Sequence, residues 1–314
     1  MFAAPHFHDD EAARRLLEEV RWPSERSCPH CGTVGRSYAT KRTQKCGATV
    51  YRCGEPECRK DFSVTTNSVM ESSHIPLHKW LQGFYLMASS KKGVSAHQLH
   101  RTLKITYKAA WFMAHRIREA MRADGTFGPL GGEGQIVEAD ETYYGHRDDK
   151  RLGKTTIRGK RGLAGKRPII ALVERGGSVR SFYAAVADKE AVTKIVAENV
   201  ARESYLYTDE SRLYGDADQL FAEHATVKHS AGEYVRYEGE RTIHTNTVEN
   251  VFSVFKRGMR GVYQHCAEKH LHRYLSEFDF RYNHRSALGV EDEARTLAAI
   301  AGAPGKRLTY RRPD

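Results

Sequence analysis

Apolar positions in the first 26 residues recur at helical spacing, with Ala12, Leu16, Leu17 and Val20 on one side and Trp22-Pro23 closing the run. From 28 to 62 that period gives way to turn formers and short β-prone stretches. A strongly helical texture returns over 76–123, with no proline after Pro76. Within it, Ser95 to Leu103, Lys104-Ile105 and Thr106 to Met121 read as helix, tight turn and helix, with Ser95 and Thr106 as N-caps. On the second helix Ala110, Ala114, Ile117 and Met121 form the apolar stripe, leaving Lys108, His115, Arg116 and Arg118 off the core face. Two readings fit: a helix-turn-helix that lays its second helix in a DNA groove, or a helical hairpin with a solvated basic face.

A Gly-rich stretch from Gly125 to Gly134 marks a boundary, after which the pattern turns to strands at Gln135–Tyr144, Pro168–Glu174 and Val179–Val186. A helix over Lys189–Glu203 leads to a short strand at Tyr205–Thr208. A helix over Asp216–His224 and a short strand at Thr226–His229 come next. From about Thr247 to Asn283 the spacing predicts two helices broken near Gly261. A row of strands followed by α/β alternation implies a mixed sheet with helices packed on it. The divisions expected are an N-terminal helix at 1–27, a cysteine-bearing ribbon at 28–66, a helical region at 76–124, an α/β domain at 135–290 and a tail at 291–314.

Charge narrows the partners. Fifty Lys and Arg against 39 Asp and Glu give a formal charge of +11, which favours a polyanion such as nucleic acid. No run of about 18 apolar residues is present and the mean hydropathy is −0.63, so a membrane role is not expected. The first ten residues lack the basic-then-apolar order of a secretory signal. Five of the six cysteines lie between Cys28 and Cys58, a clustering that reads as metal binding in a reducing compartment, hence a cytoplasmic location.

Cys28-Pro-His-Cys31 and Cys53-Gly-Glu-Pro-Glu-Cys58 form two knuckles that can present four thiolates to one tetrahedral zinc ion. Cys46 could replace Cys53, and His30 could stand in for a thiolate. Four protein ligands leave no open position, so the zinc is expected to be structural. Arg52, Arg59 and Lys60 beside the second knuckle are placed to touch phosphate.

Three acids have settings that need explaining. Asp140 interrupts a run of β-formers, Asp209 ends a short apolar strand, and Glu249 lies near the start of a helix. Mg²⁺ is a hard cation that prefers carboxylate oxygens, and two such ions roughly 3.5–4 Å apart can serve an in-line displacement at phosphorus. On the helix, Val248, Phe252, Phe255 and Met259 make the packing stripe, while Glu249, Ser253, Lys256 and Arg260 run about 100° around it. Glu249 could instead cap its own helix through Asn246. By strand alternation Glu138 shares the face of Asp140, whereas Glu141 and Glu210 point away from their neighbours and rank lower as ligands.

The segments Glu138-Ala-Asp-Glu-Thr-Tyr-Tyr-Gly145, Tyr207-Thr-Asp-Glu-Ser211, His244-Thr-Asn-Thr-Val-Glu-Asn250 and Phe255-Lys-Arg-Gly-Met-Arg-Gly-Val-Tyr263 resemble those of bacterial insertion-sequence transposases of the zinc-ribbon DDE type. Cys58 to Thr66, Tyr274 to Asn283 and the tail from Gly305 to Tyr310 extend the likeness in the same order. The resemblance implies a ribonuclease H-like catalytic domain behind a zinc ribbon and a helix-turn-helix-like region. It puts Asp140, Asp209 and Glu249 in the places of the metal-binding acids and Lys256 in that of the accompanying lysine. His244 and Asn246 also fall on the motif, and Asn246 competes with Glu249 for the third position.

The resemblance further implies two Mg²⁺ (or Mn²⁺) ions, a structural Zn²⁺, double-stranded DNA as element ends and target, a homodimer or larger assembly, and work at the nucleoid. The implied reaction is hydrolysis at the element's end followed by strand transfer. A zinc-ribbon regulator with an inactive core and a stand-alone ribonuclease H-like nuclease are the alternatives. Basic residues between two strands, Lys150, Arg151, Lys154, Arg158, Lys160 and Arg161, together with Arg257 and Arg260, are the expected DNA contacts.

Overall fold

A computed structural model describes residues 2–123, 125, 128–146, 165–239 and 241–309. The chain divides into two compact units, residues 1–122 with 285–314, and residues 123–284.

In the first unit α1 (Asp10–Arg21) starts at Asp9, whose carboxylate accepts from Ala12 N at 2.8 Å. It is followed by a three-stranded antiparallel sheet of β1 (Ser37–Thr43), β2 (Thr49–Cys53) and β3 (Asp61–Phe62). Three helices come next, α2 (Leu77–Ser89), α3 (Ala96–Leu103) and α4 (Tyr107–Ala120). Ser95 and Thr106 cap α3 and α4 as the sequence predicts, and Lys104 makes the turn between them at φ 51°. Trp80, Phe84, Leu99, Leu103, Met113 and Ile117 are fully buried.

Of the four residues that pattern places off the core face of α4, Lys108 is exposed but the other three are not. His115, Arg116 and Arg118 are buried, and Arg116 donates to the carbonyls of Glu71 (2.9 Å) and Leu308 (3.2 Å). The returning C-terminal chain, with Lys306 bonded to the Ala120 and Arg122 carbonyls, covers what pattern alone assigns to solvent.

The second unit is built on a five-stranded mixed sheet. Its strands are β4 (Ile136–His146), β5 (Lys166–Glu174), β6 (Val179–Tyr183), β7 (Tyr205–Asp209) and β8 (Glu223–Val227), with α5 (Lys189–Asn199) crossing between β6 and β7. The spatial order is β6-β5-β4-β7-β8, antiparallel through the first three and parallel through the last three. This is the ribonuclease H-like arrangement. A hairpin, β9 (Arg236–Glu238) and β10 (Arg241–Ile243), precedes α6 (Asn246–Gly258). A π-helical turn at Met259–Tyr263 then breaks the chain before α7 (Leu271–Asn283), where a break near Gly261 is expected. A final helix, α8 (Asp292–Ala301), belongs to the first unit.

The helix expected over Asp216–His224 is only a 3-10 turn, Ala217–Gln219, and β8 begins at Glu223. Asp216, the natural cap, makes no cap bond and pairs with Lys189 at 2.6 Å. Alternation along the strands builds two cores. Val137, Ala139, Ile170, Leu172 and Leu206 face α5, while Ile169, Ala171 and Val173 face α6 and α7. The predicted stripe of Val248, Phe252, Phe255 and Met259 is buried in the second core, each large side chain contributing about 1.5–3 kcal/mol.

Candidate functional site

Among the described residues, two groups of ligand-type side chains converge, one in each unit.

In the first, Cys28, Cys31, Cys53 and Cys58 hold their sulfurs within 4.8 Å of one another. The Cys28–Cys58 and Cys31–Cys53 separations are 3.9 and 3.7 Å. Zinc–sulfur bonds of about 2.3 Å in a tetrahedron require sulfurs about 3.8 Å apart, so the donor set fits zinc. Both alternatives left by the spacing fall outside it. Cys46 is buried against Gln44 Oε1 at 3.5 Å, and His30 Nε2 lies 3.2 Å from the Asp61 carbonyl. Of the three basic residues beside the second knuckle, Arg52 is already paired with Asp61 at 2.9 Å, while Arg59 and Lys60 are exposed.

The second group forms where β4 and β7 part. Their parallel pairing ends at Glu138↔Tyr207, so Asp140 and Asp209 stand two residues past it on matching positions of the same face. Glu141 completes the group, its carboxylate oxygen within 4.8 Å of those of Asp140 and Asp209. Alternation assigns Glu141 to the opposite face, and it does start there. Because β4 has no β7 neighbour at this point, its longer side chain reaches around, accepting from Ser211 Oγ at 3.3 Å and Tyr214 Oη at 3.1 Å. Asp140 accepts from the Glu141 amide at 2.7 Å and Asp209 from the Ser211 amide at 3.0 Å.

The electrostatics follow from this crowding. Burial, then Asp209, Glu141 and Glu249, push the Asp140 carboxyl up to about 8. Burial and Asp209 also raise Glu141, against the hydrogen bonds from Tyr214 and Ser211. Tyr214 is raised well above the usual phenol range by burial and by the same acids.

Glu249 lies one turn into α6, exposed, outside the tight group but close enough to act on Asp140. Its Oε1 accepts from Thr245 Oγ1 at 3.3 Å and lies 3.4 Å from His229 Nε2, a neighbour that no motif singles out. The capping box does not form: Thr245 is the N-cap, and Asn246 is the exposed first residue of the helix. Lys256 is half-buried; burial lowers its ammonium pKa while attraction to Asp140 opposes this. His244 Nδ1 receives Arg175 Nη2 at 3.0 Å and the Asn246 amide at 3.3 Å. Nδ1 also lies 3.2 Å from Glu138 Oε1, and burial and Arg175 lower the imidazole pKa against the attraction of Glu138.

Arg257 and Arg260 are exposed. Lys150, Arg151, Lys154, Arg158, Lys160 and Arg161 lie outside the described residues. No described helix is long and apolar enough to cross a membrane.

A ribonuclease H-like sheet with acids gathered at the ends of its central strands, joined in one chain to a four-cysteine ribbon, defines the class of DDE-type transposases. Comparison with known proteins agrees. Residues 129–283 match the ISXO2-like transposase domain and residues 8–61 the transposase zinc-ribbon domain, together about two thirds of the chain. The protein belongs to the insertion-sequence transposases of the zinc-ribbon DDE type, of which both matched domains are of the IS1595 kind.

A Halobacterium salinarum protein described as an uncharacterized protein in transposable element ISH50 is 29% identical over 293 residues, 88% of this chain and 91% of that one. A chain of the simian T-cell lymphotropic virus intasome in complex with PP2A regulatory subunit B56 gamma is 14% identical, covering 58% of this chain and 67% of its own. Its TM-score is 0.29, too low to bear on the fold or the function.

Proposed function

We propose that this transposase cuts DNA at the ends of an insertion sequence and joins them to a target, using Asp140, Asp209 and Glu249 to hold two Mg²⁺ or Mn²⁺ ions. One observation carries the reading: carboxylates from separate strands are packed together at the open end of β4 and β7, at the cost of raising Asp140 to about 8. Such a cluster is poorly tolerated without a cation and is what hard divalent ions require. Glu141 is available as a fourth oxygen donor. Bound there, the cations would activate an attacking oxygen and stabilise a leaving one.

The chain's own groups do the rest. Lys256, held on the same side of α6, contacts a DNA phosphate beside the acids. His244 and Asn246 flank the start of that helix and orient the scissile strand. Water opens the phosphodiester at the element's end. The released 3′-hydroxyl then displaces a target phosphodiester, so one set of acids serves two in-line displacements. Arg257, Arg260 and the basic residues from Lys150 to Arg161 bind backbone phosphate without reading sequence. The four cysteines hold a structural Zn²⁺, and the protein works on chromosomal DNA in the cytoplasm as a dimer or larger assembly, since two ends must be held together.

The test is strand transfer by purified protein with Mg²⁺, labelled element ends and a supercoiled plasmid. Joined product is expected, and none with Asp209→Ala. Ends cut but never joined would instead identify a nuclease, and ends bound but neither cut nor joined a DNA-binding regulator.

A further inference from the structure

The first turn of α6 is capped from outside the helix. Its N-cap, Thr245, makes no side-chain cap bond. Glu138 on β4, fully buried, supplies the acceptors instead: Oε2 receives the amides of Thr247 at 2.8 Å and Val248 at 3.1 Å, and Oε1 receives Thr247 Oγ1 at 2.8 Å. A carboxylate here also meets the positive end of the helix dipole.

The same Oε1 accepts Arg175 Nε at 2.6 Å. Arg175 then donates to the carbonyls of Thr242 at 2.6 Å and His244 at 2.9 Å, and its guanidinium lies 5.0 Å from the centre of the Tyr207 ring. A buried ion pair is an expensive way to stabilise a fold, since apolar side chains of the same volume often do as well or better. What this pair adds is geometry. Glu138 stands two residues before Asp140 on the same face, Tyr207 two residues before Asp209, and Val248 immediately before Glu249.

We propose that Glu138 is a positioning residue that caps α6 from the sheet and, with Arg175, fixes where Glu249 stands relative to Asp140 and Asp209. The proposal rests on the reading of Glu249 as the third metal-holding acid.

The experiment uses the full chain with its ribbon zinc retained, and follows two quantities: Mn²⁺ binding by paramagnetic resonance, and hydrogen exchange at the Thr247 and Val248 amides. Glu138→Gln, which keeps the shape but puts an NH₂ group where only acceptors fit, is expected to weaken Mn²⁺ by about 10-fold or more. It should also speed exchange at the two amides by about 10-fold. Glu138→Asp should recover part of both. Thr247→Val, which removes one hydroxyl donor and leaves the buried ion pair in place, should weaken Mn²⁺ about 2- to 3-fold, so the idea stays open to test if Glu138→Gln does not fold.

A Glu138→Gln protein with faster exchange but wild-type Mn²⁺ affinity would overturn the positioning role. Unchanged exchange would overturn the cap. Glu249→Gln separates the two readings: it should weaken Mn²⁺ without altering exchange at residues 247–248. Mn²⁺ binding left intact by Glu249→Gln would sink the metal role of Glu249 and leave the cap standing.

Discussion

The two metal-type centres are built on opposite principles. The ribbon gathers four thiols from two short turns, Cys28–Cys31 and Cys53–Cys58, and the small sheet between them has few buried residues of its own. The acidic centre draws Asp140 and Asp209 from two strands, with Glu249 nearby on a helix, all carried by a sheet that is packed on both faces. An ion should therefore be part of the fold in one place and a guest on a finished fold in the other.

The sharpest way to break the comparison is to remove one acid. Asp140→Ala or Asp209→Ala should lower end cleavage about a thousandfold or more, equivalent to roughly 4 kcal/mol. Circular dichroism, zinc content and binding of labelled ends should remain as in the wild type. A variant that unfolds or loses zinc would show that the acidic centre is no guest.

Removing zinc should do the reverse. A strong chelator is expected to unfold residues 28–62 while the five-stranded sheet survives, since structural zinc contributes about 10 kcal/mol or more in small zinc domains. Limited proteolysis reads this directly. Cys53→Ser should lose the ion and Cys46→Ser keep it, because the Cys46 thiol faces Gln44.

A third expectation concerns pH. Asp140 titrates at about 8 in the fold against about 3.9 unfolded. The folded chain therefore holds a proton that the unfolded chain has released, and stability falls as pH rises from about 4 to about 8. Glu141, also raised, acts in the same direction. Asp140→Asn should raise the melting temperature of the Mg²⁺-free protein by a few degrees at pH 8 and leave it nearly unchanged at pH 4. Excess Mg²⁺ should erase the advantage, because a bound cation keeps Asp140 ionised.

The smallest effect belongs to the exposed cations. Arg257→Ala and Arg260→Ala should each weaken DNA binding a few-fold and lower the salt slope by about one. Titrations of unrelated duplexes at several salt concentrations would show an equal loss on each.

What the sequence reveals follows the same division. Knuckle spacing is local, so the cysteine cluster that fits zinc is legible within 31 residues, and only three-dimensional placement separates Cys53 from Cys46. The stripe on α6 is legible because Val248, Phe252, Phe255 and Met259 obey one period within one helix. Asp140 and Asp209 stand out because an acid among β-formers needs a reason. Glu141 is misjudged because alternation assumes continuous pairing, and β4 loses its β7 neighbour just there. Arg116 is misjudged because a segment that covers it comes from about 190 residues further along the chain. Glu138 shares a face with Asp140 and looks like another ligand candidate; its part as a cap for α6 depends on a helix about 110 residues away.

The most direct measurement replaces the ions with Fe²⁺ and maps where hydroxyl radicals cut the backbone of the protein. If strand-borne and helix-borne acids share one centre, cuts should cluster near residues 140, 209 and 249. They should fade with added Mg²⁺ and vanish in Asp140→Ala. Cuts that miss these three positions, or that persist without Asp140, would contradict the claim that these carboxylates form a metal site.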